Sequence, residues 1–295
     1  FSLFIFDFSS PKKRYINPHS LLRDKFCDIN HLGPWANSPI RYQKYMSNDV
    51  RFPSLFELCI NRKVDSKARI GVVSTPVSET DALMAAKNSY QCLTFEKKER
   101  LFRILNTAKR EHARYLSFPE FYLPIAWLPE VWSFCKANNI AVVTGLQYII
   151  RGTKAYNFTC VIEPTIISKF YQSTLLCFRE KLYYAPEEKK LLARLGYTTS
   201  DCGNPFYYIF LEPNFSFSTI LCFEFTDICS RAALKGKIDA LFVPQLNRDT
   251  NYFSSIVSAT SRDLHCFIIQ TNTSIYGDSR ITGPFKTELK NILQI

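Results

Sequence analysis

From Arg69 onward the apolar positions switch between two spacings, and each switch predicts a change of element. RIGVV (69–73) is short, β-branched and followed by Ser-Thr-Pro, the pattern of a buried strand. Residues 94–113 place Leu101, Ile104, Leu105 and Ala108 at helical spacing, with Lys97, Arg103 and Arg110 off that stripe, and predict an amphipathic helix. YLSF (115–118), LPEVWSFCKAN (128–138) and IAVVTG (140–145) then predict strand, helix and strand. Between 146 and about 180 the helical period disappears. LQYII, YNFTCVIEP and KFYQSTLLCF read as antiparallel hairpins. After a polar, charged insert at 181–205 the alternation returns: strand FSTILC (217–222), helix TDICSRAAL (226–234) and strand IDALFVP (238–244). A helix at 251–263, strand LHCFIIQ (264–270) and an extended piece near 279–285 follow. This order predicts an α/β fold with large mixed sheets and helices outside.

Residues 1–66 read differently. FSLFIFDF (1–8) is a short strand-like run, followed by Pro, Asn and the basic residues Lys12, Lys13, Arg14, Arg23, Lys25, Arg41 and Lys44. The expectation is an irregular basic lead-in, packed on a neighbour or belonging to an upstream domain, ahead of one domain at 67–295. The chain starts at Phe1 rather than Met, compatible with a fragment of a longer polypeptide. Tyr15, Trp35, Tyr42 and Tyr45 among the basic residues would suit single-stranded nucleic acid, although a loop packed on a neighbour is the plainer reading.

Composition narrows the class. With 46% hydrophobic residues in 295, the chain exceeds the apolar content at which chains fail to collapse. No apolar run approaches the ~18–20 residues of a membrane helix, so a membrane-spanning protein is not expected. The net charge of +11 is compatible with a polyanionic partner, but the basic residues form no single block. Ten cysteines are spread along the chain with none at Cys-x-x-Cys spacing, which argues against zinc and for free thiols in a reducing, cytoplasmic setting. Asn-x-Ser/Thr triplets at Asn157, Asn214 and Asn272 arise easily by chance. His19, His31, His112 and His265 show no metal spacing, and Gly-rich phosphate loops are absent, so neither a metal nor a cofactor is expected.

Three residues combine a reactive group with the end of a predicted strand, where ligand sites of α/β folds gather. Glu120, between Phe118-Pro119 and Phe121, would be poorly solvated, with a raised pKa suited to a general base. Lys181 follows LLCFRE and could stabilise an oxyanion. Cys222 sits between a strand and a helix start, where the helix dipole would lower a thiol pKa and favour a nucleophile. Each has a plainer reading when judged alone: an acidic loop residue, a solvated lysine among charges, a buried structural thiol.

Their order along the chain carries more. With ARIGVV (68–73), LSFPEF (116–121), AYNFTCVIEP (155–164), REKLYYAPEE (179–188), ILCFEFTD (220–227), GKIDALFVP (236–244) and RDLHCFIIQTNTSIYGDSRITGP (262–284), the chain resembles the nitrilase, or carbon–nitrogen hydrolase, superfamily over about residues 68–285. The resemblance implies an αββα sandwich of two mixed β-sheets with helices on the outer faces, often paired into a homo-oligomer. It implies a triad with Cys222 as nucleophile, Glu120 as base and Lys181 stabilising the tetrahedral intermediate. A second family glutamate falls on Glu187 or Glu188, and the main-chain N–H of Phe223 is a partner for the developing anion. The substrate would be a small amide or nitrile. The chain departs from the family in having nine glycines, few for its length, while Phe121, Tyr122, Tyr183, Tyr184, Phe223 and Phe225 crowd the expected site. A basic lead-in joined to such a hydrolase is similar to the carboxyl-terminal nitrilase-like part of bacterial antiviral reverse transcriptases. A second reading from these departures is a regulatory or assembly module of the same fold attached to a nucleic-acid enzyme.

Overall fold

The computed structural model describes residues 2–8, 41–45, 52–62, 68–87, 93–168, 171–200, 206–286 and 291–294. The first strands are β1 (Ser2–Phe8), β2 (Arg41–Tyr45), β3 (Ser54–Cys59), β4 (Ala68–Ser74), β5 (Tyr115–Ser117) and β6 (Ala141–Gly145). Next come β7 (Ile149–Arg151), β8 (Lys154–Tyr156), β9 (Phe158–Ser168), β10 (Tyr171–Glu180) and β11 (Thr198–Thr199). The last are β12 (Phe206–Glu212), β13 (Phe215–Thr219), β14 (Ala240–Pro244), β15 (Phe267–Thr271), β16 (Arg280–Thr282) and β17 (Asn291–Gln294). The helices are α1 (Glu79–Lys87), α2 (Phe95–Arg110), α3 (Leu128–Asn138), α4 (Pro186–Arg194), α5 (Ile228–Ala233) and α6 (Thr250–Leu264).

Strands β6, β13, β14 and β15 are buried at every position, as continuous apolar runs demand when both faces of a sheet are covered. One sheet has the order β1-β4-β5-β6-β9-β10 and the other β17-β16-β15-β14-β13-β12-β3-β2. Each has a parallel centre, β4-β5-β6 in the first and β13-β14-β15 in the second, continued by antiparallel strands. Between the sheets lies a core that includes Val72, Tyr115, Val143, Phe217, Phe242 and Ile269. The stripe Leu101, Ile104, Leu105 and Ala108 of α2 packs with Val131 and Cys135 of α3 outside the first sheet. Val257 of α6 and Leu234 pack outside the second. The result is four layers, αββα. No helix of the described residues is long and apolar enough to cross a membrane.

The described parts of 1–66 differ from an irregular lead-in. β1 pairs antiparallel with β4, and β3 pairs in parallel with β12, so this stretch supplies strands to both sheets. SLFELC pairs with a strand far along the chain, and local periodicity carries no information about so distant a partner. Residues 9–40, with most of the basic and aromatic residues named for a nucleic-acid reading, lie outside the described residues.

At the amino-terminal edge of the parallel strands a buried ion network ties the sheets together. Arg62 contacts Glu163 at 2.8 Å, Arg114 and Tyr115 both donate to Glu212, and all five groups are buried. At the opposite edge Ser117 and Thr271 share a 2.6 Å hydrogen bond between the sheets. That edge holds the ends of β5, β6, β10 and β13.

Candidate active site

Glu120 is held by backbone on both sides. Pro119 O accepts from Gly145 N at 3.3 Å, and Glu120 N donates to Gln245 O at 3.3 Å across the sheet gap. A Cβ on Gly145 would lie 2.7 Å from Glu120 Cα and 2.8 Å from Phe121 N, so only glycine lets the loop settle onto β6. Phe121, at φ 59°, turns the chain directly after the carboxylate.

Lys181 leaves the end of β10, its N–H donating to Asn157 O at 2.7 Å. Its Nζ reaches Glu120 Oε1 at 2.9 Å and Glu188 Oε2 at 2.6 Å, with the lysine only 1% exposed. Asn157 Nδ2 donates to Glu120 Oε1 at 2.8 Å and to Glu188 Oε1 at 3.4 Å, and the Tyr148 hydroxyl donates to Glu188 Oε1 at 2.6 Å. The Tyr184 ring lies under the ammonium at 5.4 Å. Of the two glutamates the sequence left open, Glu188 therefore joins the cluster. Glu187, one residue earlier in the first turn of α4, faces solvent and pairs with Lys190 at 2.7 Å.

Cys222 adopts φ 47°, a left-handed conformation costly for a residue with a Cβ, three residues past the end of β13. Its thiol donates to Leu246 O at 3.9 Å, and Glu120 and Lys181 lie near enough for both to act on it electrostatically. The loop carrying Leu246 is fixed in turn: Asn247 N donates to Asn272 Oδ1 at 3.0 Å, and Asn272 Nδ2 donates to Asn247 O at 2.8 Å.

Burial decides the protonation pattern. It pushes the Glu120 carboxyl up, against the pull of Lys181, and Glu188 adds to the rise. Burial alone would lower Lys181, but two carboxylates at contact distance outweigh it and hold the ammonium well above its ordinary range. The Cys222 thiol is pushed well up, by burial and then by Glu120, with Lys181 opposing. This corrects the expectation of a thiol acidified by a helix dipole. A 3-10 turn over Cys222–Thr226 intervenes, α5 begins only at Ile228, and burial dominates. A thiol whose pKa burial has raised thus faces a carboxyl group whose pKa burial has raised as well.

Not every expected aromatic lines this site. Phe121 packs on Tyr148 with ring centroids 4.6 Å apart, and Tyr184 joins the same buried cluster. Phe225 instead enters the core outside the second sheet, Tyr183 is 40% exposed, and Phe223 is half-buried. Asn157, Tyr148 and Gly145 were not singled out by sequence. Asn157 stood in a quoted motif but was weighed only as a chance sequon, and its complete burial gives it a different use.

No family model matches the chain, and no curated protein matches it in sequence. Solved structures do match. A Xanthomonas campestris protein of the CN-hydrolase superfamily, determined with an arsenic adduct in its active site, aligns with TM-score 0.51 and 9% identity, over 77% of this chain and 85% of that one. A cysteine-to-alanine mutant of the Nesterenkonia AN1 amidase, from the nitrilase superfamily, aligns with TM-score 0.47 and 10% identity over 81% and 85%. A double mutant of that amidase, in complex with acrylamide, gives 0.48 and 10% over 85% and 88%. The fold is nitrilase-like. At 9% identity the Xanthomonas likeness speaks for architecture alone.

The geometry sets two expected outcomes. Gly145→Ala should lower the rate of Cys222 alkylation by iodoacetamide at least ~10-fold while the protein stays folded, because the new methyl displaces the Glu120 backbone; an unchanged rate would show that the loop position is immaterial. The parent's alkylation rate should be lost as pH falls through the elevated Glu120 pKa, above the ordinary 4.5, and stay level to about pH 9. A rate that climbs tenfold per pH unit through pH 8 would instead indicate a free thiol titrating alone.

Proposed function

We propose that the chain is a thiol hydrolase of non-peptide carbon–nitrogen bonds, acting on a small amide or nitrile. The observation that carries this reading is the convergence of Glu120, Lys181, Glu188 and Cys222 from four separate segments into one buried cluster. Such a cluster is expensive to maintain, since burying several charged groups costs several kcal/mol apiece before pairing offsets it. A fold that needed only stability would fill the space with apolar side chains.

With an amide, Glu120 takes the thiol proton as Sγ bonds to the carbonyl carbon, and the C=O electron pair moves onto oxygen. Lys181 uses two of its N–H groups on carboxylates and has a third for that oxyanion, which the Phe223 N–H would share. Collapse of the intermediate breaks the C–N bond, and the nitrogen leaves as ammonia or amine with the proton from Glu120. Glu120 then deprotonates water, which attacks the thioester; the acid departs and the thiol recovers its proton. With a nitrile, Sγ adds to the nitrile carbon while Glu120 passes the thiol proton to nitrogen, giving a thioimidate; a first water adds to it and ammonia leaves to give the thioester, and a second water releases the acid as above. Asn157 and Tyr148 orient the two carboxylates throughout.

The assembly of copies and attachment to an antiviral reverse transcriptase are finer parts of the proposal, supported by the sequence resemblance and the +11 charge. Cys222→Ala should abolish both iodoacetamide labelling at this position and hydrolysis across a panel of small aliphatic amides and nitriles. Hydrolysis retained in the variant would assign the chemistry to another group.

A further inference from the structure

Next to the cluster lies a second buried ion pair that the reaction above does not use. Arg179 Nη1 and Nη2 meet Glu224 Oε1 and Oε2 at 2.9 and 2.6 Å, with side-chain exposures of 2% and 0%. The guanidinium lies 4.6 Å from the Tyr207 ring centroid, and Nη1 also donates to Glu180 O at 2.9 Å. Each Glu224 oxygen accepts a further main-chain bond. Leu182 N donates to Oε1, and Leu221 N donates to Oε2 at 2.9 Å.

The positions of these donors matter more than their number. Arg179 and Leu182 bracket Lys181, whereas Leu221 and Glu224 bracket Cys222. One carboxylate thus binds the strand end that delivers the ammonium to the turn that delivers the thiol. A bidentate guanidinium–carboxylate pair is directional and has little freedom once buried, which suits it to fixing a separation.

We propose that Glu224 and Arg179 are positioning residues that hold the Cys222 and Lys181 backbones at reactive separation. The proposal rests on the hydrolase reading and goes beyond it: it assigns a role to two residues that never touch substrate. Glu224→Gln removes the charge and turns an amide donor toward N–H donors that now face an oxygen, so the turn and the strand end shift apart. A group that merely stabilised the fold would change melting and leave the chemistry of the folded protein alone.

The test is the rate of Cys222 alkylation by iodoacetamide, with its pH profile, at a temperature where each protein is folded by circular dichroism. Glu224→Gln should react at least ~10-fold more slowly than the parent, with its acid limb displaced. Arg179→Lys, which keeps a cation and one bond, should fall between the two. Parent-like rates and acid limbs in both folded variants would overturn the proposal. A parent that labels no faster than Cys222→Ala would instead remove the hydrolase reading itself. Should both variants fail to fold, hydrogen exchange in the parent decides: Leu182 and Leu221 amides must exchange as slowly as the flanking strands, and fast exchange at either overturns the tie.

Discussion

The site depends on one ammonium held between two carboxylates away from water. Lys181 lies within 2.9 Å of both Glu120 and Glu188, and these three groups make sense only as a set. Without the lysine, two carboxylates would share a dry space, and one would take up a proton. Without Glu188, the ammonium would turn wholly to Glu120 and pull its pKa down, weakening it as a base. Burial raises the Glu120 carboxyl, and Glu188 adds to that rise against the pull of Lys181.

The fold meets that requirement by bringing four chain ends to one edge. The parallel centres of the two sheets point their carboxyl ends the same way, and Ser117–Thr271 and Glu120–Gln245 bridge them there. The other edge carries a separate ion network around Arg62, Glu163, Arg114 and Glu212. The sandwich is therefore pinned at both edges by polar groups, with the apolar core between them. Polar networks of this kind specify one register of sheet on sheet, because any slip leaves buried charges unpaired.

Elements whose period is local were legible. The α2 stripe of Leu101, Ile104, Leu105 and Ala108 is wholly buried, and α3 spans the residues expected of it. Glu120, Lys181 and Cys222 could be named because each closes a readable strand. What escaped depends on contacts distant in sequence or on very short elements. β3 is a strand because β12 lies beside it, and α4 has a single fully buried residue, Leu192, too little for an apolar stripe. The choice between Glu187 and Glu188 turns on a rotation of about 100° per residue at a helix start that the sequence did not reveal. The thiol's raised pKa was missed for a related reason: the local pattern showed a nearby helix, while depth of burial is a property of the whole fold.

The most direct test of the central claim is a double-mutant cycle on Lys181 and Glu120, with unfolding free energies measured in urea at pH 8. Lys181→Met should cost about 3 kcal/mol or more, as loss of one partner of a buried pair does. Adding Glu120→Gln to that variant should restore at least ~1 kcal/mol, since it removes the carboxylate left without its cation. Additive losses, within ~0.5 kcal/mol, would mean that the two side chains do not share a buried charge balance, and the account of the site would fail.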